Sequence, residues 1–116
     1  MSGITTHVLD TTLGRPASGL AVSLARDEAG EFVLLAQHTT NAQGRVTDFL
    51  GAAGEIGALR VGLYRLRFET ASYLRATHQS EFYPHVEILF RVEDPNGHYH
   101  IPLLLSPYGY STYRGS

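Results

Sequence analysis

The chain has 116 residues, 43% of them hydrophobic and 17% charged, with nine basic and eleven acidic side chains and a formal charge of -2. Every basic residue is an arginine, and so even a balance of charge lacks the basic face that nucleic-acid binding requires. With no cysteine, disulfide scaffolds, thiolate metal sites and cysteine nucleophiles are excluded.

The length suits one domain with a modest core, for which oligomerisation is an easy source of extra stability. The opening Met-Ser-Gly-Ile-Thr-Thr-His lacks the basic and apolar regions of a secretory signal. No apolar run approaches the roughly 20 residues of a membrane span. The expected location is therefore the cytoplasm, with no membrane partner.

Short strand-like runs separated by Gly, Pro, Asn and Asp recur along the chain, the pattern of an all-β sandwich. Residues 4–10 form the first strand, with Thr5, His7 and Leu9 on one face and Ile4, Thr6 and Val8 on the other. Residues 11–19, carrying Gly14 and Pro16, read as a turn. Residues 20–26 alternate, with Leu20, Val22 and Leu24 sharing a face, and 27–31 turn the chain into a partner strand at 32–38. The turn Thr40-Asn-Ala-Gln-Gly44 leads into a short strand at 45–49, and the small residues of 51–57 read as a loop.

Residues 59–69 resume as a strand with Tyr64, Leu66 and Phe68 inward. Residues 70–79 break the alternation and predict a short helix, with Thr70 or Ser72 as N-cap and Tyr73, Leu74 and Ala76 over a sheet edge. Residues 85–93 alternate through Val86, Ile88, Phe90 and Val92, and Asp94-Pro-Asn-Gly97 turns into the final strands. The total is seven or eight strands and one short helix, without internal repeats.

The last segment carries the most chemistry. His98 and His100 are two residues apart, so on a strand they share a face, while Tyr99, Ile101, Leu103 and Leu105 form an apolar stripe on the other. A core uses the stripe but not the imidazoles. Paired histidines at this spacing suit a metal, for which His7 is a candidate third ligand, although no carboxylate adjoins the pair. They equally suit acid–base work, because an imidazole titrates near neutral pH. A hydrolase with neither cysteine nor a Gly-x-Ser-x-Gly elbow would activate water directly. Arg45, after the Gly44 turn, is the candidate cation for a developing oxyanion, and its planar fork suits an anionic heterocycle. Tyr108, Tyr110 and Tyr113 fit core, interface or substrate-stacking roles.

Thr6-His7-Val-Leu-Asp10, Gly14, Pro16-Ala17, Asn41-Ala-Gln-Gly44-Arg45 and the run from His98 to Tyr113-Arg-Gly-Ser116 together resemble the 5-hydroxyisourate hydrolases, transthyretin-related enzymes of purine breakdown. The resemblance covers essentially the whole chain. Transthyretin shares the Leu-Leu-Ser-Pro-Tyr-x-Tyr-Ser-Thr core but departs at His7, Arg45, His98, His100 and the final tetrapeptide, which stand here in the enzyme form.

The resemblance implies an all-β, transthyretin-like sandwich of seven to eight strands with one short helix, a single hydrolase domain over residues 1–116. It also implies a homotetramer, a dimer of dimers, with active sites in the channel between subunits. Carried over, His7, Arg45 and His100 are catalytic, Tyr113 and Ser116 line the substrate pocket with His98 beside them, and no metal or other cofactor takes part. The implied reaction hydrolyses 5-hydroxyisourate to 2-oxo-4-hydroxy-4-carboxy-5-ureidoimidazoline. One histidine takes a proton from water, and the other, or the Ser116 hydroxyl, orients the water or protonates the leaving nitrogen. Which histidine is the base stays open.

The competing readings are a transthyretin-like small-ligand binder without catalysis and a metal-binding sandwich. A carboxylate at Ser116 beside Arg114 further leads us to expect that a C-terminal tag impairs activity more than an N-terminal one.

Overall fold

The computed structural model describes residues 3–51 and 59–116. In chain order these form β1 (Gly3–Asp10), β2 (Arg15–Pro16), β3 (Ala21–Glu28), β4 (Glu31–Thr39), β5 (Arg45–Val46), β6 (Gly62–Phe68), α1 (Thr70–Ala76), β7 (Val86–Val92), β8 (His98–Ser106) and β9 (Gly109–Thr112). One sheet has the order β2-β1-β8-β9, with β5 also on β1, and the other runs β4-β3-β6-β7. All pairings are antiparallel except that of β1 with β8, which joins the two ends of the chain side by side. Of the nine strands, seven span four residues or more, matching the expected count; β2 and β5 are two-residue additions along β1.

Period-two alternation decides which faces meet. Ile4 and Val8 of β1 and Tyr99, Ile101, Leu103 and Leu105 of β8 are buried against Val22 and Leu24 of β3, Tyr64, Leu66 and Phe68 of β6, and Val86, Ile88 and Val92 of β7. Full burial of an aliphatic or phenyl side chain is worth roughly 1.5–3 kcal/mol, so this shared core fixes the register of β1, β3, β6, β7 and β8. It also forces the odd members of β1 and the even members of β8 onto the outer face of their sheet.

Several local expectations change. The 27–31 turn tightens to two residues, Ala29 at φ 55° and Gly30 at φ 94°, between the paired Glu28 and Glu31. Within the turn at 11–19, Arg15 and Pro16 pair with Asp10 and Leu9. The strand expected at 45–49 ends at Val46, after which Phe49 drops fully into the core. The strand expected from 59 starts at Gly62, because the Tyr64 hydroxyl accepts from the Arg60 N–H (3.0 Å) and donates to the Arg60 carbonyl (2.9 Å), turning that segment away from the ladder. Most of the loop expected at 51–57 lies outside the described residues.

Neither proposed N-cap acts in α1. The cap position is Glu69, which makes no side-chain cap bond, and the Thr70 hydroxyl instead donates to the Tyr83 carbonyl at 2.6 Å. Ser72 lies inside the helix. Tyr73 and Leu74 are buried as expected, but Ala76 is exposed. At about 100° per residue it points nearly opposite Leu74.

Helix α1 is tied to β1 through a buried carboxylate. Asp10 accepts from the Tyr73 hydroxyl (2.7 Å), Gln79 Nε2 (2.8 Å) and the amides of Thr12 (3.0 Å) and Leu13 (2.9 Å). Burial alone would raise its pKa, yet these donors together hold it below the ordinary carboxylate value, and burial beside Asp10 pushes the Tyr73 hydroxyl up to about 12. A carboxyl with a lowered folded pKa stabilises the fold above its unfolded pKa and loses that contribution as pH falls through the folded one. Tyr73→Phe, which removes one donor, is expected to cost about 1–3 kcal/mol in urea unfolding at neutral pH. The deficit should shrink in acid, once Asp10 is protonated in both variants.

Gly44 shapes the loop that presents Arg45. Its φ is +75°, and a Cβ there would lie 2.5 Å from the Val8 carbonyl and 3.0 Å from the Pro16 side chain. Gly44→Ala is expected to destabilise the protein by at least the roughly 1–3 kcal/mol of backbone strain, measured by denaturant unfolding.

Candidate active site

The outer face of the β1–β8 pair carries the predicted imidazoles. Because the two strands are parallel and in register, Thr5 lies opposite His100 and Gly3 opposite His98, with His7 opposite Pro102. On the other side of β1, Arg45 of β5 pairs directly with His7. That placement is held by the Asn41 side chain, whose Oδ1 accepts from the amides of Gln43 (2.9 Å) and Arg45 (3.0 Å), and by the Val8 amide, which donates to the Gly44 carbonyl at 2.7 Å. Histidines from the two ends of the chain and an arginine from its middle therefore share one surface.

Electrostatically this surface disfavours imidazolium. Partial burial and then the Arg45 guanidinium hold His7 below its usual pKa, while the nearby Gln43 backbone acts the other way. His100 is lowered by burial first, then by Arg45, His7 and His98. Both shifts favour the neutral ring, which offers one lone pair and one N–H.

Thr5 was not among the residues expected at the site. Its Oγ1 lies 2.8 Å from Nδ1 of His100 and 3.2 Å from Nε2 of His98. Alternation placed Thr5 on the face of His7, but only the pairing of strands more than ninety residues apart in sequence brings it to the histidine pair. These contacts turn one nitrogen of each ring onto a hydroxyl. Among the described residues no group of three His, Cys, Asp or Glu is arranged to hold a metal ion.

The final tetrapeptide continues beside β8. The Gly115 amide donates to the His100 carbonyl at 2.8 Å, and a Cβ at 115 would sit 2.5 Å from His100 Cδ2. Only glycine allows this approach, so the His100 ring is held between Thr5 on its Nδ1 edge and the 115 backbone on its Cδ2 edge. Arg114 turns away, its guanidinium 4.4 Å above the Tyr99 ring and Nη2 3.5 Å from the His98 carbonyl.

Tyr113 and Ser116 are exposed, and neither hydrogen-bonds an imidazole among the described residues. Tyr113 instead lines a groove of about 270 Å³ between β7 and the β8–β9 edge, with Leu89, Arg91, Tyr99 and Arg114. A second hollow of about 250 Å³, lined by His38 among others, lies over β3 and β4, also away from His7, His98 and His100. Tyr108 and Tyr110 are exposed and join Phe82 and Tyr83 in an aromatic cluster, with ring centroids 5.0–5.7 Å apart.

Three comparisons bear on this arrangement. The chain is 46% identical to a 5-hydroxyisourate hydrolase of Halalkalibacterium halodurans over the full length of both. It superposes with a TM-score of 0.83 and 40% identity on the structure of Klebsiella pneumoniae 5-hydroxyisourate hydrolase, again covering both chains entirely. It is also similar, at a TM-score of 0.86 and 28% identity, to sea bream transthyretin in complex with thyroxine, covering 97% of this chain and 93% of that one. The family model described as HIUase/Transthyretin matches residues 4–115, a span that takes in both sheets, the Arg45 loop and the histidine pair: the chain belongs to the HIUase/transthyretin family.

Proposed function

We propose that this chain hydrolyses 5-hydroxyisourate to 2-oxo-4-hydroxy-4-carboxy-5-ureidoimidazoline, with residues 1–116 acting as one domain and no cofactor taking part. The observation that carries this reading is the grouping of two imidazoles with a guanidinium on the outer face of β1 and β8. Its support from relatives is full-length identity above 40% to proteins named for this activity.

The chemistry needs three groups. Arg45 binds the anionic ring through its fork and stabilises the negative charge that develops on the attacked carbonyl oxygen. One imidazole of the His7–His100 pair takes a proton from water as its oxygen bonds to that carbon. As the ring C–N bond breaks, that imidazolium returns the proton to the leaving nitrogen while the other, neutral ring hydrogen-bonds the reacting group, and both rings end neutral. His98, Tyr113 and Ser116 border the substrate.

The finer assembly belongs to the same proposal. Both sheets end on an open edge, β7 in one and β9 in the other, and the groove containing Tyr113 runs between them. Unpaired edges favour pairing with a second copy. Exposed Leu89 and Tyr110, on β7 and β9, are apolar surface for that contact. We place the active sites in the channel of a homotetramer, where Tyr113 and Ser116 of neighbouring subunits complete the substrate pocket, and the protein in the cytoplasm.

The test is the decay of freshly generated 5-hydroxyisourate, followed by ultraviolet absorbance, with the size in solution measured on the same sample. Acceleration by the purified protein is expected. A carrier of the kind represented by the thyroxine-bound relative would leave the decay at its spontaneous rate. Loss of acceleration on adding a chelator would point instead to a bound metal.

A further inference from the structure

The two contacts of Thr5 determine where the histidine protons sit. A threonine hydroxyl has one proton and two lone pairs. With His100 Nδ1 at 2.8 Å and His98 Nε2 at 3.2 Å, and no other acceptor for its proton among the described residues, it donates to one ring and accepts from the other. His98 settles the direction. Its Nδ1 is buried and has no hydrogen-bond partner among the described residues. A neutral imidazole carries one N–H and one bare nitrogen, and a buried N–H without an acceptor is the costlier orphan. Nδ1 of His98 is therefore the bare nitrogen, and its Nε2–H points at Thr5. Having accepted that bond, the Thr5 hydroxyl is left to donate to Nδ1 of His100.

We propose that Thr5 is a positioning residue: it accepts from Nε2–H of His98 and donates to Nδ1 of His100, so that neutral His100 presents Nε2–H to the substrate. On the hydrolase reading, on which this half of the inference rests, neutral His100 is a hydrogen-bond donor to the substrate and His7 the base that takes the proton from water and returns it to the leaving nitrogen. His7, on β1 with Arg45 opposite it, lies outside this hydroxyl chain. The packing agrees, since the Gly115 backbone against Cδ2 keeps the His100 ring from swinging off the hydroxyl. A chain running from His98 through Thr5 to His100 thus gives two otherwise similar imidazoles different jobs.

Two-bond proton–nitrogen NMR spectra of the ¹⁵N-labelled protein, recorded above the histidine pKa values, read the tautomers directly and without substrate. His98 and His100 are both expected as Nε2–H tautomers, with pyridine-type Nδ1. Thr5→Val should move His100 to a mixture of tautomers and lower kcat about tenfold with KM changed no more than about twofold, the pattern of a lost transition-state interaction. Thr5→Ser, which keeps the hydroxyl, should restore both. An Nδ1–H tautomer at either histidine of the parent protein, or a His100 spectrum indifferent to Thr5→Val, would overturn the proposal. Because the spectra need no turnover, a protein with the expected tautomers that left 5-hydroxyisourate untouched would defeat the hydrolase reading alone.

Discussion

His7→Ala and His100→Ala are each expected to lower kcat for 5-hydroxyisourate by about 10²–10⁴-fold, the contribution of one positioned general acid or base. The double variant should fall little further. A base that carries the proton and a ring that hydrogen-bonds the same transition state act together, and groups that act as a unit are strongly non-additive. Both side chains lie half-buried on the outer face of their sheet, outside the apolar core, so urea unfolding should stay near that of the parent. Stopped-flow absorbance with substrate generated in place measures the rates. If either single variant kept most of its turnover, the paired assignment would be wrong.

The pH profile of the parent enzyme carries the same information. Both imidazoles are held below their usual pKa by burial and by Arg45. A rate that needs them neutral falls on the acid side, through a limb that lies below the ordinary histidine range.

Removing the guanidinium should be nearly as damaging. Arg45→Gln is expected to reduce kcat/KM by about 10²–10³-fold, the usual loss when one oxyanion-stabilising group is deleted. Arg45→Lys should fall between, since it keeps the charge but loses the fork that meets paired oxygens. The variant has a second signature. Repulsion from Arg45 is one cause of the lowered pKa at His7 and at His100, second to burial at both. With the cation gone, both pKa values should rise toward, but not reach, the ordinary value, and the acid limb should move to higher pH. Histidine NMR titration of the two proteins checks this directly. Unchanged titrations would place Arg45 too far from the rings to act on them.

Much of the fold was legible because alternation carries its own physical meaning. Leu20, Val22 and Leu24, Tyr64, Leu66 and Phe68, and Tyr99, Ile101, Leu103 and Leu105 each announced a buried face, and each is buried. The errors fell where local bonding competes with pattern. The Tyr64 hydroxyl claims the Arg60 backbone and delays β6. Thr70 spends its hydroxyl on Tyr83 rather than on its own helix. The two-residue pairings of β2 and β5 are too short to leave any period in the sequence.

The sequence by itself determined that an outward face of the last long strand would carry two imidazoles, that His7 would lie on the outward face of the first, and to which family the motifs belong. What it had no means of stating is which strands are neighbours. Side-chain alternation is a property of one strand, whereas strand pairing depends on the packing of both sheets over a common core. Only the parallel β1–β8 ladder, with β5 on the opposite side of β1, brings His7, Arg45, His98 and His100 to one surface. The same ladder sets Thr5 between the two histidines, where a single hydroxyl proton decides how each ring faces the chemistry.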